Sequence, residues 1–163
     1  TVNQLDASTL VTLLNVRHIR QVSGYSLTIT SEILDIENRT LVESADDDDF
    51  VISDHLISLA LAQISENKAL GPVFNSLFDP HDSEIYLKPV SNYVKAGQSI
   101  SFFTVVDAAL KQNETVIGYR INSKNGISNQ KYKTILNPDK KTVLEFSSDD
   151  KIIVIADDRD SSQ

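Results

Sequence analysis

The sequence contains no cysteine and no methionine, and it has only five glycines and four prolines among 163 residues. Without cysteine the chain can form no disulfide, zinc–thiolate site or thiol nucleophile, so a reducing cytosol is permitted. With 40% hydrophobic residues the chain suits a packed core, in one domain or two small lobes. Because it begins at Thr1 in the middle of a helical pattern, we expect it to be a piece of a larger protein.

Long hydrophobic runs and a basic stripe are also absent. The run from Leu56 to Ile64 is well short of the roughly 20 residues that cross a bilayer, and the start of the chain does not resemble a signal peptide. The formal net charge is −8 at pH 7, which disfavours a nucleic-acid partner. These features predict a soluble globular fragment.

Sequence motifs for catalysis are missing. No glycine-rich turn follows a predicted strand, so we expect no NAD in this fragment. No nucleophile elbow, zinc-protease motif or P-loop occurs either. The sequence therefore favours a protein that is not an enzyme.

The first half of the chain alternates helical and strand patterns. Asp6 is a candidate N-cap for a helix over Ser8–Ile19, and β-branched residues then predict a strand over Tyr25–Leu34. A short helix over Asn38–Ser44 and a strand over Phe50–Ile52 continue the alternation. This order predicts parallel strands joined by crossover helices, which is half of a doubly wound sheet.

Two apolar helical segments follow. Ser53 is the predicted N-cap of a helix that runs to about Glu66, and Gly71–Pro72 interrupts the pattern before another helical turn or two. These segments have more apolar surface than half a sheet can cover, which indicates an intermolecular contact.

A turn at Asp79–Ser83 marks the predicted boundary between residues 1–78 and a lobe over residues 79–156, and residues 157–163 form an expected disordered tail. The second lobe is predicted to be a small α+β lobe with a helix over Phe103–Gln112. Its predicted strands are Ile85–Pro89, Val116–Ile121, Tyr132–Leu136 and Ile152–Ala156.

The order of elements resembles the back half of an RCK (regulator of K+ conductance) domain followed by its C-terminal lobe. Four blocks, Val51–Ala62, Val116–Arg120, Leu136–Pro138 and Phe146–Ala156, resemble the CASTOR/POLLUX ion-channel family. The resemblance implies the C-terminal half of a Rossmann-like RCK N-lobe, followed by a TrkA-C-like RCK C-terminal lobe.

Such domains assemble as a gating ring on the cytosolic side of cation channels, where ligand binding acts on the pore. The resemblance therefore implies a regulatory domain at the cytoplasmic face of a membrane, with itself and the pore domain of its parent chain as partners. It also implies dimerisation through the crossover helices, Asp54–Glu66 and Ala69–Phe78. The expected interface residues are Leu56, Leu59, Ala60, Ile64, Val73, Phe74 and Leu77.

Calcium is the candidate ligand, because hard oxygen ligands from several loops suit it. Asp6 and Glu32 resemble two acidic calcium ligands of a bacterial calcium-gated RCK channel, although Thr30 stands at the third acidic position. The competing interpretation makes Asp6 a helix cap and Glu32 a solvated charge. The aspartate run 46–49 is a second candidate cation site, with a solvated loop as its alternative.

Two further classes of protein fit the pattern. The chain fits the C-terminal part of a Rossmann-type oxidoreductase whose other half binds the cofactor, or a soluble regulatory subunit of a potassium transporter. Sequence preceding Thr1 discriminates between them, since pore-flanking transmembrane segments support a channel and a catalytic domain supports an enzyme.

Overall fold

The computed structural model describes residues 2–25, 28–35, 49–79, 81, 83–122 and 132–157. The chain divides into two compact units, Thr1–Gly71 (unit 1) and Pro72–Gln163 (unit 2). The sequence placed the boundary later, after Phe78. The predicted helix over Asn38–Ser44, most of the aspartate run and the tail beyond Asp157 lie outside the described residues.

Unit 1 contains a parallel pair of strands, as the alternating pattern predicted. Its elements are α1 (Val2–Ser23), β1 (Thr30–Ile33), β2 (Asp49–Ile52) and α2 (Ser53–Glu66). β1 and β2 pair in parallel with Thr30 opposite Asp49 and Ile33 opposite Ile52. The core of unit 1 is small: Leu13 of α1 and Ile33 of β1 are buried against each other, with Leu10 and Ile29 packed beside them.

The first helix is longer than the predicted Ser8–Ile19 at both ends. It begins at Val2, so Asp6 lies inside the helix and the prediction that Asp6 is its N-cap is wrong. It ends before Gly24, which has a φ of 70° and donates its N–H to the Arg20 carbonyl at 3.0 Å. A glycine in this left-handed conformation is a common helix terminator because it has no Cβ to clash.

The two apolar helices have no buried residue. α2 begins at Ser53, one residue before the predicted Asp54–Glu66; its N-cap is Ile52 and no side chain caps it, so the assignment of Ser53 as N-cap is wrong. α3 (Leu70–Phe78) contains Gly71 and Pro72 in its first turn. Proline is tolerated there because the first N–H groups of a helix have no carbonyl partner within the helix, so the N–H that proline lacks costs no hydrogen bond. The break between the helices lies at Asn67, in an extended conformation, rather than at Gly71–Pro72.

Unit 2 contains two antiparallel sheets and one further α-helix among its described residues. The elements are β3 (Glu84–Pro89), β4 (Ser99–Ser101), α4 (Phe102–Leu110), β5 (Thr115–Asn122), β6 (Tyr132–Leu136), β7 (Val143–Glu145) and β8 (Lys151–Ala156). Four strands form a sheet in the order β3-β8-β5-β6, and β4 pairs with β7. The four predicted strands and the predicted helix are confirmed, whereas β4 and β7 were not predicted.

The core of unit 2 lies between α4 and one face of the four-stranded sheet. Tyr119 of β5 occupies its centre, with ring centroids 5.6 Å from both Phe102 and Phe146. The buried Asp150 supports the start of β8, since its carboxylate accepts backbone hydrogen bonds from Asn122 at 3.0 Å and Ser147 at 2.7 Å.

With a parallel pair of strands in unit 1 and antiparallel sheets in unit 2, the chain is a mixed α/β protein. Over the described ranges no helix has both the length and the apolarity that a membrane crossing requires.

Candidate ligand pocket

The carboxyl ends of β1 and β2 open into a pocket of about 470 Å³ in unit 1. It lies at this edge because parallel strands end on the same side of a sheet, and α2 starts directly after β2. Open α/β sheets bind ligands in the crevice at these strand ends. The lining residues are Val2, Leu34, Asp35, Ile52, Asp54, His55 and Ser58.

Asp6 holds one wall of this pocket in place. Its carboxylate accepts hydrogen bonds from the backbone N–H groups of Leu34 and Asp35, each at 3.0 Å, and the residue is only 1% exposed. Hydrogen bonds to an ionised acceptor are stronger than neutral ones. Asp6 therefore ties α1 to the segment that follows β1, and it shapes the pocket from behind rather than from its surface.

Glu32 has different surroundings. Ile33 packs against Leu13 of α1, and successive side chains of a strand point to opposite faces. Glu32 is exposed on the face of β1 that lies away from α1. Among the described residues, no three histidine, aspartate or glutamate side chains group closely enough to hold a metal ion. The calcium pair Asp6 and Glu32 stays a prediction.

The pocket combines apolar and polar groups from separate segments. Asp35 follows β1, while Asp54, His55 and Ser58 come from the first turns of α2. The Ser58 hydroxyl donates to the Asp54 carbonyl at 2.8 Å, which leaves its oxygen as an acceptor. Carboxylates, an imidazole and a hydroxyl beside apolar walls are suited to a small polar ligand.

Sequence reasoning missed this pocket. Its acidic and histidine residues are ordinary surface residues when each is considered alone. The available signal was topological: two parallel strands that end together bring the residues after both strands to one edge. Among the residues that sequence reasoning named, Asp6 supports this edge, whereas Glu32 lies within β1.

Unit 2 has its own polar cluster around Glu114. The Glu114 carboxylate accepts from Lys88 at 2.6 Å and from the Tyr93 hydroxyl, and its side chain is 9% exposed. Burial, and then the hydrogen bond to Glu114, hold the pKa of Tyr93 well above its ordinary value. The cluster joins β3 to the segment after α4, so its evident role is to stabilise unit 2.

The residues predicted to form a dimer interface lie on α2 and α3. Leu56, Leu59 and Val73 are each more than half exposed, at 51%, 52% and 56%. Ala60, Ile64, Phe74 and Leu77 are half-buried. Both helices thus offer apolar side chains for a contact, and the dimer itself stays a prediction.

The relatives that comparison with known proteins gives are named as ion channels. Ion channel DMI1 of Medicago truncatula and ion channel POLLUX of Lotus japonicus are each 34% identical to this chain over 142 residues, which are 86% of the chain. Probable ion channel CASTOR of Oryza sativa subsp. japonica is 31% identical over 140 residues, 85% of the chain. No protein-family model matches the sequence.

These relatives define the class as an ion-channel-related protein, since they are named as channels rather than enzymes. More particularly, the chain is a CASTOR/POLLUX-like sequence, which confirms the resemblance seen in its four sequence blocks. The chain spans about 15% of the length of these relatives.

Proposed function

We propose that the chain is a cytosolic regulatory domain of a CASTOR/POLLUX-like cation channel, which self-associates and couples ligand binding to gating of the pore. In this proposal unit 1 is the C-terminal half of a Rossmann-like RCK lobe, and unit 2 is the RCK C-terminal lobe. The parallel strands of unit 1 and the antiparallel sheet of unit 2 support this assignment. So does the similarity to ion channels along most of the chain.

The exposed helix α2 is the observation that carries self-association. None of its 14 residues is buried, although leucine, isoleucine and alanine dominate it. Leu56, Ile57 and Leu59 are all more than half exposed, at 51%, 55% and 52%. A helix that is apolar around much of its circumference is stable in water when it packs against a partner. A second copy of the chain fulfils this requirement.

The pocket at the strand ends supports the ligand-binding part of the proposal. It lies directly beside the first turn of α2, so a bound ligand would contact the helix that we assign to the interface. Ligand binding and self-association would then be linked, because each favours the conformation of α2 that the other needs.

The self-association proposal is tested by Leu59→Asp. A charge placed within an apolar interface should weaken self-association by at least about tenfold. Leu61→Asp is the matched control, since two residues along a helix place Leu61 on the opposite side from Leu59. The measurement is sedimentation velocity over a concentration series. Equal association of Leu59→Asp and the unchanged chain would refute the role of α2.

Calcium is the proposed effector, and calorimetric titration with parallel light scattering tests it. Saturable binding with a change of assembly is the expected result. Glu32→Gln should weaken calcium binding by at least about tenfold, because it removes a charged ligand and keeps the side-chain shape. Asp6→Ala is not a clean probe, since Asp6 supports the backbone after β1. Unchanged affinity in Glu32→Gln would remove Glu32 from the site, and an absence of binding would refute calcium as the ligand of this chain.

A further inference from the structure

A row of polar side chains crosses one end of the four-stranded sheet of unit 2, on the face opposite α4. Lys151 of β8 lies opposite Arg120 of β5, and Arg120 in turn lies opposite Thr134 of β6. Tyr119 and Ile152 belong to the core beside α4, and neighbours along a strand point to opposite faces. The side chains of Lys151, Arg120 and Thr134, here called the polar row, therefore lie side by side on the second face, about 5 Å apart from strand to strand.

An aromatic ring supports the central member of the polar row. The guanidinium carbon of Arg120 lies 4.0 Å from the centroid of the Tyr132 ring. Tyr132 lies opposite Asn122, two residues along β5 from Arg120, so the contact is a diagonal one between neighbouring strands. A guanidinium placed over a ring directs its N–H groups outward from its edge, because they lie in the plane of the group. A group that is oriented in this way loses less side-chain entropy when it binds a ligand.

Neither cation of the polar row has an anionic partner in the part of the chain that the structure describes, where the salt bridges use other side chains. Asp150 precedes Lys151, but its buried carboxylate already accepts the N–H groups of Asn122 and Ser147. Carboxylates are not scarce, since the chain has 23 acidic and 15 basic residues. Like charges placed directly opposite one another destabilise a sheet. Two adjacent cations without a carboxylate between them therefore indicate a site for an external anion.

The donors of the polar row suit a phosphate group. The guanidinium of Arg120 is a planar fork that binds two oxygens of one oxyanion. The ammonium group of Lys151 on one side and the hydroxyl of Thr134 on the other add a donor at each flank. A phosphate group has enough terminal oxygens to accept from the fork and from a flanking donor at the same time, whereas a carboxylate has only two oxygens. The row therefore favours phosphate over a carboxylate.

We propose that the polar row of unit 2 binds the phosphate group of a small anion, either inorganic phosphate or a phosphate monoester. Arg120 and Lys151 are half-buried and Thr134 is exposed, so an anion reaches all three from solvent. A small open site offers few contacts, and a dissociation constant on the order of 1 mM is expected for inorganic phosphate. Because both partners are charged, the affinity should fall as the salt concentration rises.

Titration with sodium phosphate at constant ionic strength, with sodium chloride as the reference salt, tests the site by amide NMR of the isotope-labelled chain. The backbone signals of Arg120, Thr134 and Lys151 should shift in a saturable way with phosphate and not with chloride. O-phosphoserine is the second ligand, since it carries the same phosphate group as a monoester. Tighter binding of O-phosphoserine assigns the site to monoesters, and equal or weaker binding assigns it to free phosphate.

Arg120→Lys keeps the positive charge but removes the planar fork, so it should weaken phosphate binding by at least about fivefold. Lys151→Gln removes the flanking charge and should weaken binding by a similar factor. Lys133→Gln is the matched control, because Lys133 is an exposed neighbour of Thr134 on β6 whose side chain points to the other face. It should change the affinity by less than about twofold. Circular dichroism checks folding, and Thr134→Val, which removes a donor but suits a strand, repeats the test if Arg120→Lys fails to fold.

Three results would overturn the phosphate site. The first is an absence of saturable shifts up to about 50 mM phosphate. The second is unchanged affinity in both Arg120→Lys and Lys151→Gln, since these donors would then not contact the anion. The third is an equal loss in Lys151→Gln and Lys133→Gln, because the net charge of the chain rather than the polar row would then set the affinity. None of these results bears on self-association through α2 or on calcium, which concern unit 1.

Discussion

Asp6→Ala should loosen unit 1 while leaving the sheet of unit 2 intact. The Asp6 carboxylate is 1% exposed and accepts two backbone hydrogen bonds, from Leu34 and Asp35. Alanine removes both acceptors and leaves two backbone N–H groups without their partner beside a new void. Each hydrogen bond to an ionised group contributes about 1.5–3 kcal/mol.

Allowing for water that replaces part of the lost carboxylate, we expect the free energy of unfolding of unit 1 to fall by about 2–4 kcal/mol. This loss is large for unit 1, because only Leu13 and Ile33 form its fully buried apolar core in the described residues. The pocket wall formed by Leu34 and Asp35 should become less ordered at the same time, since Asp6 holds it in place.

Hydrogen exchange measured by mass spectrometry locates the effect. Peptides from α1 and β1 should exchange faster in Asp6→Ala, while peptides from β5 and β8 keep their protection. Glu32→Ala is the control on β1: Glu32 is exposed, and its removal should change stability by less than about 0.5 kcal/mol. Unchanged protection of α1 and β1 in Asp6→Ala would refute the anchoring role of this carboxylate.

Two glycine changes and one tyrosine change give further tests. Gly118→Ala should lower the free energy of unfolding by about 3 kcal/mol in urea denaturation, because the new Cβ would meet the Ile135 carbonyl oxygen at 2.2 Å. Gly71→Ala in the first turn of α3 has open space around the new Cβ but precedes Pro72, so it should change the free energy of unfolding by less than about 1 kcal/mol; a loss as large as that of Gly118→Ala would contradict the reasoning. Burial and Glu114 raise the folded-state pKa of Tyr93. The contribution of Tyr93 to the free energy of unfolding is therefore complete below the ordinary tyrosine pKa of about 10, and it is lost as the pH rises through the folded-state value. Tyr93→Phe should therefore remove a late-ionising tyrosine from the alkaline absorbance titration, and an unchanged titration would contradict that assignment.

Elements with a strong local pattern were predictable from the sequence. β6 has the predicted bounds Tyr132–Leu136 and α2 differs from the predicted Asp54–Glu66 by one residue, because each has a sustained run of residues with helix or strand character. β4 and β7 have three residues each, which is too short for an alternating pattern to show. Asp6 was misread as a helix cap, since its hydrogen bonds reach residues 28 and 29 positions away and nothing local indicates them.

The sequence by itself determined the types of most described elements, the parallel pairing of the first two strands and the CASTOR/POLLUX resemblance, because these depend on local periodicity and short residue blocks. The tertiary structure decided which strands are neighbours in the β3-β8-β5-β6 sheet, and hence that Ile85, Leu87 and Leu136 share the face opposite α4. It also decided that Asp6 supports the pocket wall. These features depend on contacts between distant segments, whose energies are set by packing and pairing across the fold rather than by any single stretch of sequence.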